Sequence, residues 1–530
     1  MFLILSAAYV GQELQSEFGK IPPAFLPLGN RRLFEHQIKL APVGVSVHLS
    51  IPESYVVSKT DLKLLDKLKV TIIRIPDGIS IGASVVAALN LSAHDLSSPL
   101  HILYGDTLFT ELPEGDNLVC VSAASDSYNW AVVTGDKLHW LQNFDSEFDS
   151  GGKNVVNGYF KFSSPRHLMR SITQTNWDFL EGLNRYHQDI GFTTIYSDQW
   201  LDFGHVNTYY RSKAHFTTQR AFNELTINSE WIEKSSTKST KIAAESNWFS
   251  KLPAALRVYT PQYLGSVESD GRVSYRLEYL HQTALNELYV FGDLPVSIWE
   301  QILSSCIRFL KACKEQKAGI GVSSNKLSEL FNEKTISRLQ EYCDEYNISI
   351  EDEWCFNQEV NISLKGILEE TGKYLPVENS QFPATILHGD FCFSNILYDF
   401  RAARIKTIDP RGTLPDGEFS LYGDVRYDIA KLSHSIIGLY DWIIAGYYDV
   451  KINDRQINFH IEESKHHKLI QQRFIELIKE EFNIDFLPLL AMQIQLFLSM
   501  LPLHNDDACR QQALFANAFR LYNLMEKQIK

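Results

Sequence analysis

His388-Gly-Asp-Phe-Cys-Phe-Ser-Asn-Ile-Leu-Tyr398, followed by Ile405-Lys-Thr-Ile-Asp409, is the stretch whose reading decides the fold of the larger part of this chain. Apolar residues flank its polar ones: Ala384-Thr-Ile-Leu387 precedes, Ile396-Leu-Tyr398 follows, and Ile405-Lys-Thr-Ile408 leads into Asp409. Short apolar runs bounded by polar residues read as strand, loop, strand, turn, strand. Asp390 is followed five residues later by Asn395, and Asp409 comes fourteen residues after that. Phosphoryl transfer needs such a set: one carboxylate to orient an attacking hydroxyl, then an amide oxygen and a second carboxylate to hold Mg²⁺ on the phosphates.

An Asp, an Asn five residues on and an Asp closing the next hairpin resemble the catalytic loop and metal-binding Asp of the protein-kinase-like fold. The His-Gly-Asp opening, and Ile-Asp in place of Asp-Phe-Gly, are similar to the aminoglycoside phosphotransferase and choline kinase branch. The resemblance implies that Asp390 is the catalytic base, Asn395 and Asp409 are Mg²⁺ ligands, and His388 supports the loop. It also implies a five-stranded N-lobe whose strand Lys, paired with a helix Glu, holds the α and β phosphates of ATP. Lys234, in Leu225-Thr-Ile-Asn-Ser-Glu-Trp-Ile-Glu-Lys234, and Glu245, in the helix-like run from Lys241 to Leu252, are the candidates. Lys238 and Lys241 are the alternatives. Arg220-Ala-Phe-Asn-Glu224 stands where the family places a Gly-rich loop, and Tyr275-Arg-Leu-Glu-Tyr-Leu280 is similar to the inter-lobe hinge.

Gly423-Asp-Val-Arg-Tyr-Asp-Ile-Ala-Lys-Leu432 resembles the segment that supports the catalytic loop in these kinases, which implies that Asp424 and Asp428 anchor the loop. Tyr440, Trp442, Tyr447 and Tyr448 follow. Core packing is the favoured reading of these rings; a cage for a cationic amino alcohol or a stacking surface for a sugar is the other.

Apolar runs at 2–10, 45–51, 70–75, 101–104, 118–122 and 130–133 alternate with helix-like stretches, which predicts an α/β layer of parallel strands. Leu3-Ile-Leu-Ser-Ala-Ala-Tyr-Val-Gly-Gln-Glu-Leu14 and Ile21-Pro-Pro-Ala-Phe-Leu-Pro27 resemble the opening of sugar-phosphate nucleotidyltransferases. In that family Asp106, ending Ile102-Leu-Tyr-Gly-Asp106, and Asp202, in Trp200-Leu-Asp-Phe-Gly-His205, would be the two Mg²⁺-binding carboxylates. Two departures stand out. Pro23 occupies the position of the family's Lys, and Ala8-Tyr-Val-Gly-Gln-Glu13 replaces its Gly- and Arg-containing loop, so no charge remains there to stabilise a departing pyrophosphate. Lys20, Arg31 and Arg32 could compensate, and an ordinary strand-end Asp is the alternative for Asp106 and Asp202.

The chain has 530 residues, 45% hydrophobic and 22% charged, enough for more than one core. A polar stretch around 211–245 sets a boundary: an α/β nucleotidyltransferase-like, Rossmann-like domain at 1–211, and a bilobal, protein-kinase-like α+β domain at 212–530. Its N-lobe spans about 212–292 and its C-lobe about 293–530. From 295 onward helical patterns dominate, at 298–314, 327–346 and 466 to the end. A net charge of −14 argues against broad electrostatic capture of nucleic acid or anionic lipid and weakly against a polyanionic acceptor, although a local basic pocket could override it. Seven cysteines without a C-x-x-C pair make a disulfide framework or structural zinc improbable. The apolar N-terminus reads as a buried strand rather than a signal peptide, and Pro488, Gln493, Gln495, Ser499 and Pro502 interrupt the most apolar run. A cytoplasmic protein with no membrane insertion is expected.

The resemblances together imply an ATP- and Mg²⁺-dependent kinase acting on a hydroxyl of a sugar, polyol or amino alcohol, in bacterial capsule or surface-polysaccharide precursor synthesis, with a degenerate nucleotidyltransferase domain. One alternative is a bifunctional enzyme that also uses CTP or another nucleoside triphosphate. The other is a non-catalytic scaffold that binds nucleotide sugars. The sequence does not fix the acceptor or the oligomeric state.

Overall fold

The computed structural model describes all residues except 93, 124–127, 129, 135–140, 144–153, 221–224, 237–238, 270–271 and 378–381. The chain divides into two compact units, Met1–Lys213 with Phe291–Asp293, and Ala214–Val290 with Leu294–Lys530.

In the first unit, strands β1 (Phe2–Leu5), β2 (Val47–Pro52), β3 (Val70–Ile75), β4 (Leu100–Tyr104), β5 (Leu118–Ala123), β6 (Asn154–Phe162) and β7 (Thr193–Tyr196) share one sheet in the order β7-β5-β6-β4-β1-β2-β3. The β1 strand pairs in parallel with both β2 and β4, Leu3 lying opposite His48 on one side and Ile102 on the other. The expected all-parallel layer is corrected here, because β6 runs antiparallel to β4 and β5. The apolar run at 2–10 forms a strand only as far as Leu5, and Ser6 to Val10 turn into a loop. Helices Lys59–Lys67 and Ile81–Leu91 make the crossovers, capped by Ser58 Oγ, which accepts from Asp61 N at 3.0 Å, and by Ser80 Oγ, which accepts from Ala83 N at 3.2 Å. Phe2, Leu3 and Ile4 are wholly buried, which explains why this strand reads as continuously apolar. Strand order reverses between β1 and β4, and the crevice beyond their carboxyl ends is where an open α/β sheet places its ligands.

Arg32 ties the loop before helix Leu33–Ile38 to helix Lys59–Lys67. Its Nε and Nη2 donate to the two Asp61 oxygens at 3.1 and 2.8 Å, and its Nη1 donates to the Phe25 carbonyl at 2.8 Å. The Asp61 side chain is completely buried.

The second unit opens with a four-stranded antiparallel sheet in the order Leu225–Ile227, Trp231–Ser236, Arg272–Glu278, Tyr263–Ser269. The resemblance implied five strands; four are present among the described residues. The run 225–234 is a hairpin rather than one strand, because the chain turns at Asn228, whose Oδ1 accepts from the Glu230 and Trp231 amides at 2.9 and 2.8 Å. Helix Ser239–Lys251 packs on this sheet, Ser246 Oγ lying 2.7 Å from Tyr263 Oη, and it ends before Pro253. The helical remainder contains Val296–Glu315, Lys334–Tyr346, Val425–Ile436, Lys465–Phe482, Phe486–Met500 and Ala508–Ile529. One segment, Phe486–His504, is long and apolar enough to cross a membrane by length and composition, but 72% of it is buried inside the protein, as a core helix is. All seven cysteines are free.

Replacing Arg32 by Ala leaves the Asp61 carboxylate buried without its cation, and a loss of about 3–5 kcal/mol is expected. Urea unfolding of the full chain at pH 7 should show it, and the Arg32→Met/Asp61→Leu double variant should recover much of it. An Arg32→Ala chain that unfolds at the wild-type midpoint would remove this pair from the structural frame.

Candidate active site

Ile396–Asp399 and Arg404–Thr407 form the antiparallel hairpin expected around the decisive motif, and Thr385–Ile386 precedes it. Between them the loop at 387–395 is held by one carboxylate. Asp428 Oδ2 and Oδ1 accept from the backbone amides of His388 and Gly389 at 2.7 and 2.8 Å. Burial pushes the Asp428 carboxyl up to about 7, and the two amide bonds oppose the rise. Gly389 adopts φ +80, and a Cβ there would stand 2.7 Å from Arg411 Cβ, so glycine is the residue this turn admits. The His388 ring packs against Trp248, Phe309 and Phe391, and its burial lowers the imidazole pKa to about 4. It is neutral and structural, its Nδ1 lying 3.3 Å from the Asp390 amide.

Asp390 sits between two partners. Lys431 Nζ lies 2.7 Å from its Oδ1, and Asn395 Nδ2 donates to its Oδ2 at 2.9 Å. Burial alone would raise this carboxyl, but Lys431 outweighs it and holds Asp390 well below the ordinary carboxylate range. The same pairing holds Lys431 above its ordinary range despite burial. Asn395 spends its amide N–H on Asp390, which leaves Oδ1 as the atom able to face a cation. Asp409 follows the hairpin with φ +55, a left-handed conformation that Asp tolerates.

The N-lobe supplies a second cation. Lys234 Nζ lies 2.8 Å from Glu245 Oε2 and 3.0 Å from Asp409 Oδ1, so it bridges sheet, helix and hairpin. Glu245 is buried and also accepts from Tyr275 Oη at 2.7 Å. Burial lifts the Glu245 carboxyl, Lys234 opposes that lift, and Asp409 adds to it. Burial depresses Lys234, yet Asp409 and Glu245 together hold it above its ordinary value. Lys241 is exposed and reaches Glu245 only at 3.8 Å, while Lys238 and residues 221–224, in the place of the Gly-rich loop, lie outside the described residues. Of the two described lysines, Lys234 is the one in close contact with Glu245.

One assignment changes and one residue is added. Asp424 does not contact the loop; it caps helix Val425–Ile436 by accepting from Arg426 N at 2.9 Å and pairs with the Arg426 guanidinium. Lys431 has no part in the resemblance, yet its sequence signal is present: on a helix it lies three residues after Asp428, on the same face. Of the aromatic group, Trp442 and Tyr447 are buried and packed together with ring centroids 5.7 Å apart, which is the core-packing alternative.

Mg²⁺ prefers oxygen donors and brings much of its own shell, so Asn395 Oδ1 and the Asp409 carboxylate suit it once phosphate oxygens complete the set. No cluster of three or more His, Cys, Asp or Glu side chains able to hold a metal occurs among the described residues.

In the first unit the antiparallel ribbon of Thr107–Phe109 with Trp200–Asp202 places Asp202 opposite Thr107. Asp106 and Asp202 converge around Gly204: a Cβ there would lie 2.7 Å from Asp106 Oδ2 and 3.3 Å from Asp202 Oδ1. Burial, then Asp202, pushes the Asp106 carboxyl up to about 7. Both line a cleft of about 430 Å³ with Trp130, Trp177, Trp200 and His205. At the end of β1, Ser6, Ala7, Ala8 and Pro23 line an adjoining recess of about 170 Å³ whose described lining holds the Asp106 carboxylate and no Lys or Arg. The compensating cations are committed elsewhere: Arg32 to Asp61, Arg31 to Glu35 at 2.9 Å, and Lys20 over the Tyr9 ring at 4.3 Å.

No family model matches this sequence, and no curated protein matches it. Among solved structures, the chain is similar to a nucleoside-diphosphate-sugar pyrophosphorylase from Vibrio cholerae RC9 (14% identity, 40% of this chain and 99% of that one, TM-score 0.33). It is similar also to an aminoglycoside-3'-phosphotransferase of type VIII (11% identity, 55% and 99%, TM-score 0.33). A third is a glucosamine kinase in complex with glucosamine, ADP and inorganic phosphate (13% identity, 57% and 75%, TM-score 0.38).

The Asp390 carboxylate is 43% exposed and Lys431 15%, so their coupling is expected at about 1–2 kcal/mol, below that of a fully buried pair. A double-mutant cycle of Asp390→Asn and Lys431→Met, read by urea unfolding, measures it. Because Asp390 is lowered in the folded chain, its contribution is full above the ordinary carboxylate pKa and is lost as pH falls below it. The coupling should therefore be constant from pH 6 to 8; a coupling that vanishes at neutral pH would contradict the pairing.

Proposed function

We propose that the second unit is a kinase that transfers the γ-phosphoryl group of ATP to a hydroxyl of a small molecule. The observation that carries this reading is the convergence of Lys234, Glu245 and Asp409 with Asp390, Asn395 and Lys431. Mg²⁺ held by Asn395 and Asp409 would neutralise the phosphate charge. Lys234, fixed by Glu245, steadies the phosphates from the opposite lobe. Asp390 accepts the hydrogen bond of the acceptor hydroxyl and aims its oxygen at the γ-phosphorus. Held so far below the ordinary range by Lys431, Asp390 is a weak base; it orients the nucleophile early and takes its proton late, which a loose phosphoryl-transfer transition state permits. Sugars, polyols and amino alcohols are the acceptor classes, and precursor activation for bacterial surface polysaccharide is the context that a kinase fused to a nucleotidyltransferase-like unit suits.

For the first unit we infer a binding role without nucleotidyl transfer. The convergent Asp106 and Asp202 favour a metal-assisted site, but its recess offers Pro23 where a cation would meet the departing pyrophosphate. Phosphorus NMR of the full chain with Mg²⁺, ATP and pooled sugars, polyols, sugar acids and amino alcohols, followed by CTP and UTP, tests both readings. A new phosphomonoester is expected, falling by about 10²- to 10⁴-fold in rate in Asp390→Asn. A diphosphodiester that depends on Asp106 after the second addition would make the enzyme bifunctional; no phosphorylated product from any acceptor class would count against the kinase.

A further inference from the structure

Beside the catalytic loop the second unit gathers more positive charge than the chemistry described above uses. Arg411 N donates to the His388 carbonyl at 2.8 Å, which sets its side chain next to Gly389 and Asp390, and its guanidinium lies 5.8 Å from the Tyr427 ring centroid. Lys334 and Arg338 are four residues apart on helix Lys334–Tyr346, on one face. Both act electrostatically with Arg411, and Lys334 acts on Tyr427 and Lys431 as well. The helix is entered through a π-helical turn, Glu329–Glu333, a rare irregularity that rotates the following residues and recurs at functional sites.

The charges around this group are accounted for. Lys431 is occupied by Asp390, and Asp428 by two backbone amides. Arg338 Nη1 donates to the Ser499 carbonyl at 3.2 Å, and Glu341 acts on it from its own helix. Glu329, Glu333 and Asp416 line, with Lys334, a cleft of about 500 Å³; Glu329 pairs with Lys326 at 3.8 Å, and Glu333 and Asp416 are exposed. None of Lys334, Arg338 and Arg411 makes an ion pair with a carboxylate among the described residues. Arg411, Lys334 and Lys431 together pull the buried Tyr427 phenol down to about 8 against its burial, and burial with the neighbouring cations brings Lys334 down to about 8. Asp390 and Asp428 act on Arg411 from the loop and from helix Val425–Ile436, and its guanidinium bonds to the Tyr427 phenol, without closing an ion pair. Partly buried like charges that lack a close carboxylate are costly, and an anion placed among them lowers the cost.

We propose that Lys334, Arg338 and Arg411 bind an anionic group, a carboxylate or a phosphate, carried by the molecule whose hydroxyl Asp390 orients. This rests on the kinase reading for the word acceptor, while the anion site itself does not. The same cations repel a choline-like or amino-alcohol acceptor, so the acceptor class narrows to sugar acids, sugar phosphates and comparable hydroxylated anions.

Thermal-shift titration of the full chain, at ionic strength fixed with KCl, tests the site with sulfate, glucuronate, glucose 6-phosphate and glucose, and separately with a non-hydrolysable ATP analogue plus Mg²⁺. Stabilisation by sulfate and by at least one of the two sugar anions, and none by glucose, is expected; which of the two is stronger separates carboxylate from phosphate. Lys334→Gln should weaken the apparent anion affinity by about tenfold, with Lys334→Arg restoring it and the nucleotide response retained in both. Arg411→Gln should act in the same direction, and if it does not fold, the Lys334 pair decides. A nucleotide response without an anion response overturns this inference and leaves the kinase standing. An anion response without a nucleotide response leaves the site standing and removes the kinase. Equal stabilisation by glucose and glucuronate, or an anion response unchanged in Lys334→Gln, overturns the site.

Discussion

Two backbone amides on one buried carboxylate hold the loop at 387–395 in place. The amides of His388 and Gly389 have no ladder partner at the point where the chain leaves its strand, and Asp428 accepts both. Because a buried amide without an acceptor is costly, the loop cannot drift without losing both bonds. Helix Val425–Ile436 then delivers Lys431 one turn beyond Asp428, and that ammonium fixes Asp390. Asn395 completes the arrangement by donating to Asp390, so four side chains from one helix and one loop determine where a reacting oxygen would sit.

The opposite lobe answers with a single lysine. Lys234 is shared by Glu245 from the helix and Asp409 from the hairpin, so sheet, helix and loop meet at one ammonium. Trp248 Nε1 donates to the Leu387 carbonyl at 2.9 Å, fastening that helix to the strand that leads into the loop. Charge is balanced in this centre and tips positive just outside it, where Lys334, Arg338 and Arg411 act on Tyr427. In the first unit the imbalance has the opposite sign: two carboxylates converge, and the arginines of the neighbouring segment serve the fold, Arg32 by neutralising the buried Asp61. A net charge of −14 conceals both local excesses.

The motif around Asp390 was legible because its residues are close in sequence and its chemistry allows few substitutes. Lys234 and Glu245 were legible as candidates, but preferring Lys234 to Lys241 needed distances, since both are close in sequence to Glu245 and a sequence carries no direction for a side chain. Asp424 was misassigned to the loop because a helix-capping Asp and a loop-anchoring Asp look alike when both precede the same helix. The antiparallel β6 escaped the parallel expectation because Asn154, Asn157, Gly158 and Lys161 interrupt its apolar residues, so 154–162 is not among the runs from which the layer is read.

By itself the sequence determined the two classes of architecture, the order of strand, loop and hairpin around Asp390, and the absence of a charged residue at Pro23. These depend on local patterning and residue type, which no packing arrangement alters. Only the tertiary structure decided that Lys431 is the partner of Asp390, that Arg32 is structural, that Asp106 and Asp202 meet at Gly204, and that Lys334 and Arg338 stand with Arg411. Most of those pairings join residues far apart in sequence, and Coulomb energies and hydrogen bonds depend on separations in space that chain order does not encode.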